Sequence, residues 1–361
     1  MKPQSRLSWR FLMCLICLIC MLRKLFITLL LLCVLIFISL LVLRFAFFTP
    51  IQANQNDNQT TTQIIRIQVK SGSSHNTLAN QLVNQGLAHD IWTTKLAMKL
   101  LNLKPKAGVY AIEPPTTPWQ ILKKLQSGTI EMARITFIEG WSVKQMRQAI
   151  ARHDGFSQHT EQMSNNDLLT QLRPKIGNTT ITHLEGLFMP DTYLFAQGSG
   201  ELAVLRQAHQ LLLQTLQSEW EKRAPNLPLK TPYEALILAS IIEKETGTKS
   251  DRPMIAAVFI NRLKIGMRLQ TDPTVIYGLG EKFDGNLRKK DLEADTRYNT
   301  YTRSGLPPTP IALPSRESIF AALHPAQSNA LYFVARGDGS SHFSQTLSEH
   351  SSAVKRYQLK Q

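Results

Sequence analysis

TPYEALILASIIEKETG, at residues 231–247, carries a nearly complete set of helix signals. Thr231 suits the N-cap position, a proline fills the first helical position, and Glu234 stands where a capping box needs an acidic residue. Gly247 is expected to end the helix in a left-handed conformation. Because residues 235–242 are apolar apart from one serine, we expect this helix to be buried on nearly all sides, with the rest of the fold packed around it.

Two glutamates, Glu243 and Glu245, stand at the end of this helix. At about 100° per residue, Glu243 lies within about 40° of Ala239 and continues the buried stripe, whereas Glu245 is predicted to face solvent. Desolvation and the negative end of a helix dipole both favour the protonated form of a carboxyl group. The helix pattern therefore singles out Glu243 as a candidate general acid, with pairing to a nearby Arg or Lys as the structural alternative.

The N-terminal region predicts a membrane anchor. Residues 25–43 are apolar apart from two hydroxyl side chains, which is long enough to span a bilayer. Two basic residues precede this segment, so the positive-inside rule places residues 1–24 in the cytoplasm and the remainder of the chain outside. A cleavable signal peptide is the alternative. Residues 44–63, rich in Asn, Gln and Thr, are predicted to be a linker.

A second apolar block, at residues 11–22, is too short to cross a bilayer. Joined to the predicted span, it would carry Arg23 and Lys24 into the hydrocarbon region at about 2.5–3.5 kcal/mol each. We therefore expect translation to start at Met21, with residues 1–20 either absent from the native protein or dispensable. The four cysteines are expected to be embedded in the membrane rather than to bind a metal: Cys14, Cys17, Cys20 and Cys33.

Residues 64–138 predict a small α/β module of the LysM kind, with an unremarkable α+β domain as the alternative. The apolar periodicity predicts a strand at 64–70, a helix through Leu78 and Leu82, a helix at 91–101, a strand at 107–112 and a helix at 118–125. A strand–Gly–Ser–helix pattern repeats when Gly72 is aligned with Gly140. The module would bind glycan.

Residues 139–361 predict a mixed helical catalytic domain, so the predicted fold class is α+β. Helices are expected at 202–222 and 253–263, and a hairpin at 331–346. Residues 154–180 are polar and are predicted to be mobile.

Composition and motifs exclude several functional classes. The chain of 361 residues has a formal net charge of +15, of which residues 1–44 supply +6. A basic ectodomain suits an anionic polymer or lipid surface, although simple solubility explains it as well. No nucleic-acid motif is present, so we expect no nucleic-acid partner. The nine histidines are dispersed, and nucleotide or zinc-protease signatures are lacking, so we expect no metal and no cofactor.

The remaining polar groups suit the cleavage of a glycosidic bond. An acid must protonate the bridging oxygen, while amide and phenol groups hold the sugar hydroxyls. Gln, Asn and Tyr residues follow Glu243 in the sequence at a distance that permits such a cleft. Asp272 lies in a turn, RLQTDPT, where capping a helix is as plausible a role as catalysis.

Five ordered motifs closely resemble the YceG-like (MltG) endolytic murein transglycosylases over about residues 64–350. They are ASIIEKET, NRLKIGMRLQTDPTVIYGLG, EGLFMPDTY, YNTYTRSGLPPTPIALPS and LYFVARGDGSSHF. The resemblance implies an active-site helix like that of lytic transglycosylases and places the catalytic glutamate on Glu243. By the same analogy, we expect these residues to bind substrate: Gln270, Asp272, Tyr298, Asn299, Tyr301, Glu185 and Asp191.

The resemblance implies non-hydrolytic cleavage of peptidoglycan within the strand, leaving 1,6-anhydro-N-acetylmuramate ends. It also implies a single-pass protein of the inner (plasma) membrane with a periplasmic catalytic domain. Its partners would be glycan strands and the membrane-bound synthases, the penicillin-binding proteins, whose nascent strands it would terminate. Two alternatives remain open at this stage. One is a non-catalytic peptidoglycan-binding scaffold, and the other is a hydrolase in which Asp272 or Glu185 activates water.

Overall fold

The chain forms two compact units, Met1–Glu131 and Met132–Gln361. The computed structural model describes residues 6–51, 64–157, 160, 162–245 and 247–359. Helices and antiparallel strand pairs both contribute, so the architecture is mixed α and β. The units divide between Glu131 and Met132, so the strand that begins at Met132 belongs to the second unit.

The first unit begins with one continuous helix, α1, at Arg6–Phe48. Its Met13–Phe48 portion is long and apolar enough to cross a membrane. The predicted span at 25–43 lies inside this portion, and the helix continues without interruption through Arg23 and Lys24. Helix formation satisfies the backbone of both apolar blocks at once, which removes any need for a break between them.

The predicted linker at 44–63 lies mostly outside the described residues, and its first residues are helical. Residues 44–48 belong to α1, and Ile51 forms an isolated antiparallel bridge with Thr116 of the same unit. The amide of Ile51 donates to the carbonyl of Thr116 at 2.7 Å, and the Ile51 side chain is buried. Residues 52–63 lie outside the described part of the chain.

The remainder of the first unit has the predicted order of elements. They are β1 (Ile65–Val69), α2 (His75–Asn84), α3 (Ile91–Leu100), β2 (Gly108–Ile112) and α4 (Pro118–Ser127). Strand β1 pairs antiparallel with β2, with Ile65 opposite Ile112 and Val69 opposite Gly108. The helices pack their apolar faces on this two-stranded sheet, around a fully buried Tyr110.

The predicted strand–Gly–Ser–helix repeat is present as local structure. Gly72 and Gly140 both adopt left-handed conformations, with φ of +76° and +73°. Ser74 and Ser142 are the N-caps of the helices that follow, each accepting a hydrogen bond from the amide three residues on. A side chain would strain either turn, which accounts for the glycines.

The described residues of the second unit form nine further α-helices and three strand pairs. In chain order they are β3 (Met132–Thr136), α5 (Val143–Ala151), α6 (Asn165–Leu172), β4 (Lys175–Ile176), β5 (Thr179–Thr180), β6 (Thr192–Ala196), α7 (Glu201–Glu221), α8 (Pro232–Glu245), α9 (Arg252–Lys264), α10 (Asp272–Leu279), α11 (Lys289–Glu293), α12 (Arg316–Leu323), β7 (Tyr332–Ala335), β8 (Ser341–Ser344) and α13 (Leu347–Tyr357). Strand β3 pairs with β6, β4 with β5, and β7 with β8, all antiparallel.

Residues 154–180, which are predicted to be mobile, include regular structure among the described residues. The segment contains α6 and the short β4–β5 hairpin. Leu168 and Ile176 are buried in the main core of the second unit. These two apolar side chains are too widely spaced to form a periodic pattern, but each is sufficient to anchor a short element against a core that is already built.

Helix α8 is the centre of this core, as predicted. Residues 235–242 are all buried, and α7, α9, α10 and α12 pack against the helix. The amide of Glu234 donates to the Thr231 hydroxyl, while the Glu234 carboxylate accepts from the amide of Lys230, one residue before the predicted position. The helix ends at Glu245, and Gly247 does not adopt the predicted left-handed conformation.

Candidate active site

An open cleft of about 650 Å³ lies at the C-terminal end of α8. Four carboxylates and one guanidinium group line it, together with backbone from the β3–α5 connection: Glu139, Asp191, Glu243, Glu245 and Arg252. Both glutamates at the end of α8 therefore reach the same cleft. Their surroundings within it differ in a way that decides what each can do.

The Glu243 carboxylate is fully engaged by other parts of the second unit. Its Oε2 accepts hydrogen bonds from the amide of Ser315 at 2.8 Å, from the Ser318 hydroxyl at 2.7 Å and from the Ser315 hydroxyl. Its Oε1 accepts from Arg252 Nη2 at 3.1 Å, and the two side chains are only 5% and 4% exposed. The structural alternative considered from the sequence, pairing with a basic residue, is therefore what the fold contains.

These contacts give Glu243 a clear structural role. Ser315 is the N-cap of α12, so the carboxylate holds the start of that helix against the end of α8. Every one of these partners donates to the carboxylate. The contacts therefore hold the Glu243 side chain in one position between α8 and α12.

Glu245 has the opposite environment, and the prediction that it faces solvent is wrong. Burial raises the pKa of its carboxyl group above the usual range, and the nearby charge of Asp272 acts in the same direction. The Thr271 hydroxyl donates to Oε1, which acts against this rise, as does the positive charge of Arg262. A carboxyl group that favours its protonated form and lines an open cleft is suited to general acid catalysis.

Glu245 is covered by the segment 270–272, which comes from far along the chain. Leu269 anchors this segment in the core, and Arg262 Nη1 donates to the Leu269 carbonyl at 2.6 Å. The amide of Thr271 donates to the Thr300 hydroxyl at 3.0 Å, and that of Gln270 to the Thr300 carbonyl at 3.1 Å. The segment is therefore fixed from two sides, which places Thr271 over the end of α8.

Asp272 does not cap a helix, although the sequence made that role plausible. The N-cap of α10 is Thr271, and Asp272 is the first residue of the helix. Its exposed carboxylate accepts a hydrogen bond from the Tyr301 hydroxyl at 2.6 Å. Desolvation and the charges of Asp272 and Glu245 raise the pKa of Tyr301, so the phenol stays protonated as a donor. The structure thus brings three predicted residues together beside Glu245: Gln270, Asp272 and Tyr301.

Asn299 is a supporting residue, and this corrects its predicted place in the substrate cleft. The side chain is completely buried. Its Nδ2 donates to the carbonyls of Asp291, Leu292 and Ala294 at 2.7–3.2 Å, and its Oδ1 accepts from the amide of Tyr301 at 2.8 Å. Asn299 therefore shapes the loop that presents Tyr301.

Glu185 lines a second cavity of about 520 Å³. Tyr298 lies beside this cavity, in contact with Tyr277. The Glu185 carboxylate accepts from the amide of Val143, at the start of α5, and from the Tyr277 hydroxyl at 3.3 Å. Burial raises the pKa of Glu185 to about 7. Tyr298 packs edge-on against Tyr277 and shares a hydrogen bond with the Thr309 hydroxyl. Of the two, Glu185 lines the cavity and also caps α5.

Asp191 lies in the first cleft, as its predicted substrate-binding role requires. The residue is exposed, and its Oδ1 accepts from the amide of Thr192 at 2.7 Å. Its carbonyl accepts from the amide of Phe137, which joins the end of β3 to the start of β6 across the cleft wall. Sugar hydroxyls could therefore reach a carboxylate whose backbone is fixed.

Sequence reasoning missed four residues at this site: Glu139, Arg252, Thr271 and Ser315. Arg252 is the most buried basic residue among those described, and its Nε and Nη1 atoms have no hydrogen-bond partner there. It also lies 3.7 Å from Glu139, whose pKa is raised by burial and then by the charge of Glu243. The sequence signal for Arg252 was its position directly before the proline at the start of α9.

Among the described residues, no group of three or more His, Cys, Asp or Glu side chains is placed to hold a metal ion. The carboxylates of the cleft instead face hydroxyl, amide and guanidinium groups. The chemistry that the cleft offers is therefore proton transfer and hydrogen bonding to polar groups of a substrate.

A model of the YceG-like family matches residues 67–356, which includes both units after α1 and the whole cleft. This chain belongs to the YceG-like family. The resemblance inferred from the five motifs is thereby confirmed.

Named relatives agree with this assignment. The YceG-like chain is 35% identical to an endolytic murein transglycosylase of Bacillus subtilis (strain 168) over 321 residues, covering 84% of this chain and 86% of that protein. It is 25% identical to an endolytic murein transglycosylase of Streptococcus pneumoniae, over 79% of this chain and 56% of that longer protein. A crystal structure of a putative YceG-like protein from Listeria monocytogenes is similar with a TM-score of 0.52 at 33% identity, covering 81% of this chain and 99% of that one.

Proposed function

We propose that this YceG-like chain is an endolytic peptidoglycan lytic transglycosylase. It cleaves the bond between N-acetylmuramate and N-acetylglucosamine within a glycan strand and leaves a 1,6-anhydro end. The relatives named for this activity, and a family match that includes every residue of the cleft, support the proposal. The cleft also contains a carboxyl group whose pKa is raised by burial, which suits the protonation of a glycosidic oxygen.

We assign the general acid to Glu245, although the sequence pattern pointed to Glu243. The observation that carries this choice is the contrast between the two carboxyl groups of α8. Burial raises the pKa of Glu245, whereas the Glu243 carboxylate accepts three hydrogen bonds from Ser315 and Ser318 and a fourth from the buried guanidinium group of Arg252. Movement of Glu243 would disturb the cap of α12, but the Glu245 side chain has the Thr271 hydroxyl as its one hydrogen-bond partner among the described residues.

The reaction then needs one carboxyl group in two steps. First, the proton of Glu245 passes to the glycosidic oxygen while the bond from that oxygen to C1 of the muramate breaks. Second, the carboxylate takes the proton of the muramate 6-hydroxyl as O6 bonds to C1, which closes the anhydro ring and restores the protonated acid. No water is consumed, whereas an ordinary glycosidase uses two carboxyl groups and adds one water.

Asp272 and Tyr301 fit the charge that develops between these steps. The transition state of glycoside cleavage carries positive charge near C1. The exposed Asp272 carboxylate, held by the Tyr301 hydroxyl at 2.6 Å, lies close enough to Glu245 to influence its pKa. The Asp272 carboxylate can therefore stabilise that positive charge.

The competing functions predict different products. A hydrolase would need a second carboxylate to activate water, and Asp272 is the candidate that lies beside Glu245, since Glu185 lines the other cavity. A scaffold would bind glycan without cleaving it.

Digestion of purified glycan strands by the full chain in detergent, followed by mass spectrometry, separates these functions. We expect anhydro ends, which lack one water relative to hydrolysed ends. Glu245→Gln should lose cleavage by at least about 10²–10⁴-fold, the usual value of general acid–base help, while its folding is retained. Hydrolysed ends would establish the hydrolase, and binding without any new ends would establish the scaffold. Loss of cleavage in Glu243→Gln at full folding, with an active Glu245→Gln, would return the acid to Glu243.

We also propose that α1 anchors the chain in the plasma membrane, with its N-terminus in the cytoplasm and the catalytic unit on the outer side. Basic residues before the apolar segment and their scarcity directly after it support this orientation. There the enzyme would act beside membrane-bound peptidoglycan synthases and terminate nascent strands. Crosslinking in living cells tests the partnership, and recovery of no synthase with an active enzyme would count against it.

A further inference from the structure

Helix α3 carries an apolar stripe that faces away from the core of the first unit. Trp92, Leu96 and Leu100 are 77%, 48% and 78% exposed among the described residues. Their spacing of four residues places them along one face of the helix. The opposite face is the one that packs, since Thr94, Ala97 and Met98 are buried. A stripe of this kind, on a helix that already has a buried face, indicates an interaction surface.

Basic residues accompany this stripe. Lys95 lies with its Nζ 5.0 Å from the centre of the Trp92 ring, and Lys99 is exposed between Leu96 and Leu100. Residues 64–131 contain eight Lys and Arg against three Asp and Glu, a net charge of +5. The surface around α3 thus combines a tryptophan, two leucines and positive charge, which is the combination found in helices that lie in a membrane interface.

The end of α1 contacts the same unit next to the start of α3. Phe45 stacks on His89 with ring centres 5.9 Å apart, and His89 directly precedes Asp90, the N-cap of α3. Phe45 is the last-turn residue of the Met13–Phe48 portion that can cross a membrane. A bilayer crossed by α1 therefore has its surface at about the level where α3 begins.

A second set of contacts fixes this arrangement. Phe47 and Phe48 approach Trp119 of α4, with ring centres 6.5 Å and 6.1 Å apart. The bridge between Ile51 and Thr116 follows immediately. The chain is thus attached to the first unit before residue 52, so the segment from there to 63 does not set the distance between that unit and the bilayer.

We propose that α3 docks on the outer lipid surface of the membrane that α1 crosses. Trp92, Leu96 and Leu100 enter the interface, and Lys95 and Lys99 contact anionic head groups. The proposal rests on α1 being a membrane anchor and is independent of the chemistry assigned to the cleft. Contacts at α1 and along α3 would then fix the orientation of the first unit relative to the bilayer, which a flexible attachment would not do.

The test uses the full chain reconstituted in vesicles whose acyl chains carry bromine, a short-range quencher of tryptophan. Subtracting the emission of Trp92→Phe from that of the wild type isolates the Trp92 signal. We expect this signal to be quenched in vesicles of phosphatidylcholine with phosphatidylglycerol. Changing Lys95 and Lys99 to glutamine should lower the ratio of docked to undocked molecules by about fivefold per charge in those vesicles.

Two single variants complete the design. Leu100→Ser should reduce the quenching of Trp92, whereas Leu347→Ser should not, although Leu347 is 62% exposed on α13 of the second unit. The proposal would be overturned if brominated lipid did not quench the emission of Trp92. So would protection of Trp92 from a water-soluble quencher by added glycan strands in the absence of lipid quenching, because α3 would then be a glycan surface.

Discussion

The contacts of Glu243 and Glu245 predict different effects when each glutamate is replaced. Replacement of Glu243 should lower the stability of the fold, and replacement of Glu245 should abolish cleavage. Replacing Glu243 by alanine removes one partner of an ion pair whose side chains are 5% and 4% exposed. Breaking such a pair costs about 3–5 kcal/mol, because the remaining charge stays buried without compensation. Arg252 would be poorly placed to recover, since its Nε and Nη1 atoms already lack partners among the described residues.

The α12 cap adds to this cost in part. The Ser315 amide and hydroxyl, together with the Ser318 hydroxyl, lose their common acceptor when Glu243 is removed. Loss of an N-cap interaction is typically worth about 1 kcal/mol, although it does not add fully to the ion-pair term, because the groups are in contact. We therefore expect Glu243→Ala to lower the free energy of unfolding by about 3–5 kcal/mol, a large share of the total stability of a domain.

Denaturant unfolding of the full chain in detergent measures this difference, with cleavage assayed on the same samples. Glu245→Gln, on the same helix, serves as the matched variant. We expect it to lose cleavage, with a free energy of unfolding within about 1 kcal/mol of the wild-type value. Glu243→Gln should be destabilised but should cleave in proportion to its folded fraction. The reasoning is refuted if Glu243→Ala unfolds like the wild type, or if folded Glu243→Gln is inactive.

Three further predictions follow from single contacts. Burial raises the pKa of Glu185 from its ordinary value of 4.5 to about 7, so the wild type should lose about 3 kcal/mol of stability as pH rises from the first value to the second. The free energy of unfolding of Glu185→Gln should not show that loss when it is measured at a series of pH values. The same pH dependence in the variant and the wild type would contradict the prediction. Thr271→Val removes a hydrogen bond that lowers the pKa of Glu245, so the alkaline limb of the pH–rate profile should move to higher pH; an unmoved limb would argue against Glu245 as acid. Gly186→Ala, at φ +75° and against the Pro310 side chain, should cost about 1–3 kcal/mol from overpacking alone, measured by thermal unfolding beside the unhindered Gly266→Ala.

Much of the fold follows from local sequence, because local signals are made and satisfied within a few residues. The serine caps of α2 and α5, with their left-handed glycines, could be located from spacing alone. The continuous apolar run of α8 was enough to place that helix at the centre of the core. The long motifs were enough to identify the family, since their order along the chain does not depend on packing.

The acid that we propose could not be identified in this way. Helical periodicity correctly showed that Glu243 continues the buried face of α8, and the fold surrounds its carboxylate with Ser315 and Arg252. The same periodicity predicted that Glu245 faces solvent. The pattern describes a single helix and carries no information about the elements that pack against it. A helix surrounded by other elements has no solvent face, so its pattern cannot predict exposure.

Sequence by itself therefore determined the apolar N-terminal helix, much of the order of elements, the central helix and the family. Tertiary structure alone decided the surroundings of each carboxyl group, because they include every atom near it, whatever its position in the chain. Thr271 reaches Glu245 from 26 residues away, and Ser315 reaches Glu243 from 72. Desolvation and hydrogen bonding act through such distant contacts, and they are formed only when the chain has folded.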